Sequence, residues 1–248
     1  MSEGQVKAVE RPDRAVDYAG SYQTLGRVAD RVSQAVLECV KSHDSPTIIE
    51  IGCGTGETSL AVARARHDAQ VIGLDISAVN IAAADSAKAG SAVDTRVTFV
   101  TADFMSWDSP QADLIFGESV LHLIEVDTGD LVRKLASALR PGGQLVFTIP
   151  RDCFRNDVLF MLRRAWATLP RASADRVALA IAQKAYPALS ESLLRDRLGY
   201  LRLIPERTDG KEFRKLLRSN GLSPVRWEIW PVTTLLQASH SFSVWRKD

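Results

Sequence analysis

The strongest constraint on this chain's fold is an alternation between residues 45 and 150. Short apolar, β-branched runs take turns with runs of helical spacing. "TIIEIG" precedes "ETSLAVARAR", and "AQVIGLDIS" precedes "AVNIAAADSAKAG", which Gly90 stops. "RVTFVTADF" and "ADLIFGESV" follow; then comes "DTGDLVRKLASALRPGG", a helix ended by Pro141 and the Gly142-Gly143 pair, and finally "QLVFTIP". A strand buried on both faces reads as a continuous apolar run, as these five do. Strands that alternate with helices build right-handed βαβ units, and hence a doubly wound α/β sheet covered on both faces.

After Pro150 the rhythm changes. Residues 151–205 carry helical spacing in "NDVLFMLRRAWATL" and "ADRVALAIAQKAY", punctuated by Pro170, Pro187 and Pro205. "DGKEFRKLLRSNG" then reads as a helix with a glycine C-cap, and "LSPVRWEIWPV" and "HSFSVWRKD" as two strands. The length of 248 residues suits one α/β domain with an insertion. The expected organisation is an N-terminal helical cover (1–44), a core (45–150), a helical lid inserted after strand five (151–205) and a segment completing the sheet (206–248).

Composition excludes several classes. A net charge of +1 gives no basic stripe for nucleic acid. The halves do differ: residues 1–150 hold 13 Lys and Arg against 20 Asp and Glu, a balance of −7, and the rest balances at +8. No apolar run reaches the ~18 residues of a membrane span. The polar start "MSEGQVKAVERPDRAVDY" is unlike a signal peptide. Cys39, Cys53 and Cys153 are odd in number and widely spaced, so they suggest reduced cytoplasmic thiols and neither a disulfide framework nor a metal site.

"EIGCGTGETS" carries the chemistry. Glycines 52, 54 and 56 stand where the first strand meets its helix, at the carboxyl edge where doubly wound sheets bind ligands. A dinucleotide wants G-x-G-x-x-G with its pyrophosphate on the helix N-terminus. Here the spacing is G-x-G-x-G, and Glu57 occupies the first helical turn, where a carboxylate would repel a pyrophosphate. A nucleoside without phosphates suits the loop better. Asp75, ending the second strand, is placed to accept both hydroxyls of a ribose. Asp103, after the third strand, is placed to take an adenine amino group, with Phe104 beside the ring.

In this order, the motifs resemble the class I S-adenosylmethionine-dependent methyltransferases of the small-molecule type. "EIGCGTG" looks like the first motif of that family, "GLDIS" its ribose-binding strand end, "TADF" its adenine-contacting acid, and "GESVLHLI" and "LRPGGQLVF" the regions around strands four and five. The resemblance covers residues 45–150 well. It implies a seven-stranded sheet, mostly parallel with an antiparallel last strand, and S-adenosyl-L-methionine as cofactor, leaving S-adenosyl-L-homocysteine. It also implies a cofactor site from Glu50, Gly52, Cys53 (by backbone only), Gly54, Asp75, Ile76, Asp103, Phe104, Gly117, Glu118 and Ser119. Gly52 and Gly54 would admit the backbone to the cofactor, and Gly56 would let the helix pack close. Glu118 would either neutralise the cofactor's amino group or leave that contact to Gly117.

The acceptor side is less determined. His122, in "SVLHLI", is either the base that takes the acceptor's proton or a packed histidine of the following helix. A base here would show an apparent pKa near ~6–7. His43, His67 and His240 are not expected to cluster with it. Tyr18 and Tyr22, one helical turn apart, either cover the sulfonium by cation–π attraction or pack their helix. Trp107 caps the adenine or joins the core. In the lid, Phe154, Phe160, Met161, Trp166 and Tyr186 supply apolar surface, and Arg155, Arg163 and Arg164 are candidate anion holders. The expected partner is a small organic acceptor, the protein being a monomer or homodimer. The alternatives are a relative that binds the cofactor without methyl transfer (a cyclase, isomerase or scaffold) and an NAD-linked oxidoreductase.

Overall fold

The computed structural model describes residues 26–187, 191, 194–195, 204–230 and 238–248. Its centre is a seven-stranded sheet: β1 (Thr47–Ile51), β2 (Gln70–Asp75), β3 (Val97–Thr101), β4 (Ala112–Glu118), β5 (Leu139–Pro150), β6 (Leu222–Ile229) and β7 (His240–Lys247). They lie in the order β3-β2-β1-β4-β5-β7-β6. The chain starts mid-sheet at β1, walks out to β3 and returns to β4, so a crevice opens between the β1 and β4 ends. β7 runs antiparallel to both β5 and β6, with Pro150 opposite His240. The antiparallel last strand is as expected.

Helices cover both faces: α1 (Gly26–Val40), α2 (Glu57–Ala65), α3 (Ala78–Lys88), α4 (Thr128–Ala138), α5 (Phe154–Ala167), α6 (Arg171–Ala185) and α7 (Lys211–Ser219). Successive strand side chains point to opposite faces. Ile48 therefore joins one core with Val36, Leu60 and Ile81, and Ile49 joins another with Leu131, Leu135 and Phe213. Local chemistry fixes the helix starts. The Ser77 hydroxyl accepts from Asn80 N at α3, and the Asp127 carboxylate accepts from Gly129 N (2.8 Å) and Asp130 N at α4.

Two boundaries differ from the sequence expectation. α4 stops at Ala138, short of Pro141, because Leu139 already pairs with Ala112 in the sheet; residues 140–143 are absorbed as an irregularity before Gln144 pairs with Leu114. The described part of the 151–205 segment is dominated by α5 and α6, but it does not form one apolar lining. Trp166 and Tyr186 pack with Ala178, Leu179 and Leu194, Phe160 packs with Leu159 and Ala238, and Phe154 and Met161 are exposed. The buried Asn156 ties α5 to the start of β7: its amide donates to Arg151 O and Ser239 O (both 2.8 Å) and its oxygen accepts from Ser239 N.

Candidate active site

The loop from β1 to α2 lies at the carboxyl edge, held by Cys53 N donating to Leu74 O (2.8 Å). Gly52 has φ 69°, and a Cβ there would lie 2.6 Å from Val120 Cγ2. A Cβ at Gly117 would meet the same side chain at 2.7 Å. Val120 thus wedges the loop after β4 between two glycines, so Gly52 serves this packing as well as any ligand. Gly56 (φ 85°) is bare because Phe99 Cζ would stand 2.6 Å from its Cβ. Its close approach is to β3, not only to its own helix. Burial pushes the Cys53 thiol far up, which leaves the thiol inert.

Asp75 bridges the site. One carboxylate oxygen accepts from Gly54 N (3.0 Å) and the other from Ser77 N (2.8 Å) and Asn80 Nδ2 (3.2 Å). These bonds fix the carboxylate at the crevice beside the glycine loop, with lone pairs left for a diol. Beside it Ile76 is 49% exposed, an apolar face at the mouth. Asp103 accepts from Met105 N (3.0 Å), which shapes the turn after β3. Phe104 is the residue expected beside the adenine ring. It is only 3% exposed, buried in the core with Lys134 Nζ 5.7 Å above its ring. Trp107 packs against the same core.

Acids gather behind the glycine loop. Glu50 is 3% exposed and accepts from Ser59 Oγ at 2.5 Å. Burial raises its carboxyl to about 8, and the nearby charges of Glu118 and Glu57 add to the rise. Burial also raises Glu118, partly offset by the Ser119 hydroxyl donating to it (3.3 Å). Glu57 accepts from Thr55 Oγ1 (2.6 Å) through one oxygen, and its other oxygen is buried without a hydrogen-bond partner. A buried carboxyl that feels two neighbouring acids, with a buried acceptor unfilled on one of them, fits a cationic ligand and opposes a phosphate. Ser119 stands at φ 53°, unusual for a non-glycine residue, held by its N–H donating to Thr148 Oγ1 (2.9 Å).

His122 follows β4 on a short 3₁₀ turn, Leu121–Leu123, and is 8% exposed. The sequence reading separated it from the other histidines, and the structure corrects this for His240. The two rings lie edge-to-face with centroids 5.7 Å apart. The cause is the antiparallel β7, which starts beside the end of β5. The pKa expectation near 6–7 also shifts. Burial pushes His122 well below its ordinary 6.5, and His240, Arg163 and Arg207 push it in the same direction. Arg163 turns inward from α5, whereas Arg155 and Arg164 are exposed. Arg207, which sequence reasoning missed, is a clamp. Its guanidinium donates to the carbonyls of Leu121, Ile124 (2.7 Å) and Val126 (2.7 Å), fixing the turn that carries His122. Tyr18 and Tyr22 lie outside the described residues. Among the described residues no group of three or more His, Cys, Asp or Glu side chains could hold a metal.

A seven-stranded sheet of this order, with an acid-lined glycine loop at its crevice and no phosphate cradle, defines the class I methyltransferase architecture. Residues 48–143 match the family described as "Methyltransferase domain". That stretch of the chain is therefore similar to a methyltransferase domain. The chain is 26% identical over 184 residues to the O-methyltransferase rstn1 of Aspergillus nomiae, covering 71% of this chain and 80% of that one. It is 32% identical over 124 residues to trans-aconitate 2-methyltransferase of Azoarcus sp., covering 49% of this chain and under half of the relative, 46%. Among solved structures, magnesium protoporphyrin IX methyltransferase (ChlM) from Synechocystis, with bound S-adenosyl-L-homocysteine, has the same fold. Its TM-score is 0.60 at 19% identity, over 92% of this chain and 90% of that one. The [4+2]-cyclase SpnF also shares the fold, with a TM-score of 0.59 at 18% identity over 92% of this chain and 84% of that one.

Proposed function

We propose that this protein methylates a small organic acceptor, with S-adenosyl-L-methionine held across the β1–β4 crevice. The observation that carries the reading is the trio of Glu50, Glu57 and Glu118 around the glycine loop. Its unfilled buried oxygen calls for a positive charge. The cofactor supplies a methyl group on a cationic sulfur, which needs positioning and exclusion of water more than acid catalysis. Asp75 would take the ribose hydroxyls, Ile76 and the Asp103 turn the adenine, and Gly117, Glu118 and Ser119 the amino-acid end. His122 faces the acceptor. The helices α5 and α6 would form the lid over it, and the tie of Asn156 to the start of β7 supports a lid seated on the core. The chain acts as a monomer or homodimer.

Calorimetry with S-adenosyl-L-homocysteine and with NAD tests the cofactor half. Binding of the first and not the second is expected, and the reverse would overturn the reading. Transfer of label from methyl-labelled cofactor to an acceptor library tests the other half. The likeness to a cyclase favours a second reading, cofactor binding without transfer; bound cofactor with no label moved to any acceptor would select it.

A further inference from the structure

β6 forms one edge of the sheet, and among the described residues no strand lies beyond it. Its pairing with β7 tells which of its backbone groups face outward. Trp230 N donates to His240 O at 2.8 Å, so Trp230 turns its backbone groups toward β7. The register continues with Ile229 opposite Ser241, Glu228 opposite Phe242, Trp227 opposite Ser243 and Arg226 opposite Val244. Residues of an antiparallel strand bond toward a given neighbour at every second position. Glu228 and Arg226 therefore share the direction of Trp230, and Trp227 and Ile229 present their N–H and C=O to the open side. Sheet edges are commonly guarded by proline or by a bulge. Here Pro224 and the register shift before Arg226 guard the start of the strand. Residues 226–229 have neither device.

The side chains of this stretch complement their own reversed order. Trp227 and Ile229 point to one face of the sheet, Arg226 and Glu228 to the other. Val225, Trp227 and Ile229 are all exposed, so apolar surface lines the open edge. Trp227 is held in place: its Nε1 donates to the buried Asp209 carboxylate (2.7 Å), and the Arg214 guanidinium lies 4.9 Å from its ring centre. Arg226 and Glu228 pair with each other (3.1 Å) and also reach Glu38 and Arg31 of α1. All four side chains keep contact with solvent, so these ion pairs are weak and exchangeable. A two-fold axis through Trp227 sets Trp227 against its own copy and each Arg226 against a Glu228. The neighbouring centres fail. An axis through Arg226 or Glu228 opposes like charges, and the backbone groups there are spent on β7.

We propose that the β6 edge is the self-association surface of this protein, where two copies pair antiparallel through residues 226–229 about a two-fold axis at Trp227. The two seven-stranded sheets then join as one. Trp227 N–H donates to the carbonyl of the partner's Trp227 and receives the reciprocal bond at its own. Each Arg226 exchanges its intrachain Glu228 for the partner's Glu228, on the face opposite the paired tryptophans. The occupant is a second copy because the charge order of the edge is its own complement. The inference stands apart from methyl transfer: it selects the homodimer, and its failure leaves the cofactor reading untouched.

The test is sedimentation of the full chain across the micromolar range, with charge variants at the two exposed positions. Arg226→Glu places acids at both, and Glu228→Arg places bases at both. Each alone should weaken dimerisation about tenfold or more, because both cross-strand pairs become repulsive. Mixed in equal amounts, the two variants should form a heterodimer, and the double exchange Arg226→Glu with Glu228→Arg should dimerise like the parent. Recovery in the mixture excludes misfolding as the cause of the loss, since two misfolded chains would not restore each other. Deuterium exchange at the Trp227 and Ile229 amides should slow as concentration rises, whereas the Arg226 and Glu228 amides, bonded to β7, should be slow throughout. A monomer at every concentration, a dimer that both single variants keep, or a loss that the mixture does not repair overturns the proposal. So does protection of Trp227 and Ile229 that is independent of concentration, which would mean that the chain's own residues cover the edge.

Discussion

Replacing Glu50 by Gln should stabilise the cofactor-free protein, increasingly so as the pH rises. The side chain is buried and bonded to Ser59 Oγ, and its carboxyl is raised from an ordinary 4.5 to about 8. A group raised on folding contributes stability that is fully present below its unfolded pKa and is lost as the pH climbs through the folded one. For Glu50 the loss runs from about pH 4.5 to about pH 8. At ~1.4 kcal/mol per pH unit, that window corresponds to a ceiling of roughly 5 kcal/mol. Relaxation around Glu118 and entering water will lower it, and ~2–4 kcal/mol is the expected gain of the variant over the parent between pH 5 and pH 9. Gln keeps the size and can still accept from Ser59. Urea unfolding of both proteins at several pH values measures the difference directly. Parallel stability curves across that range would refute the argument, because they would mean that Glu50 carries no unfavourable charge. The same variant should bind S-adenosyl-L-homocysteine more weakly above pH 8, where the parent offers a carboxylate to the ligand's ammonium.

Asp75→Ala should weaken S-adenosyl-L-homocysteine by about 10²–10⁴-fold in calorimetry, from two charge-assisted bonds of ~1.5–3 kcal/mol each; Asp103→Ala should weaken it less, with one bond at stake. Gly52→Ala should destabilise the protein by ~1–3 kcal/mol, through its positive φ and the clash with Val120, and adding Val120→Ala should recover part of the loss in thermal unfolding. Arg207→Met should lower the unfolding temperature and kcat together, since three carbonyls lose their donor and the His122 turn its anchor. A variant with parental kcat would show that the clamp does not position His122.

The core and the cofactor edge were legible in the sequence because their determinants are local. An apolar strand, a glycine turn and a capped helix are each specified within about fifteen residues, so β1 to β5 and the places of Asp75 and Asp103 follow from periodicity. The acceptor end was not legible. His240 meets His122 only because β7 turns back against β5, a long-range pairing that no spacing encodes. Arg207 sits among neighbours that give no motif, and its partners are backbone carbonyls, which leave no trace in side-chain chemistry. The burial of Phe104 is hidden for a related reason: it lies in the turn after β3, where its neighbours in sequence do not say that it packs into the core beside α4.

The clamp and the histidine pair also set an order of assembly. The proposed cofactor edge is complete once residues up to Ser119 have been made. The acceptor end waits for Arg207 and His240, which a ribosome delivers roughly ninety to one hundred and twenty residues later. At ~5–20 residues per second, the nascent chain spends several seconds or more with the first half of its site exposed and the second half unsynthesised. During that interval β5 is an uncovered sheet edge, the kind of edge that invites mispairing. The β6–β7 ribbon that closes this edge is the same unit that brings in His240. Covering that edge and bringing His240 beside His122 are therefore one folding event.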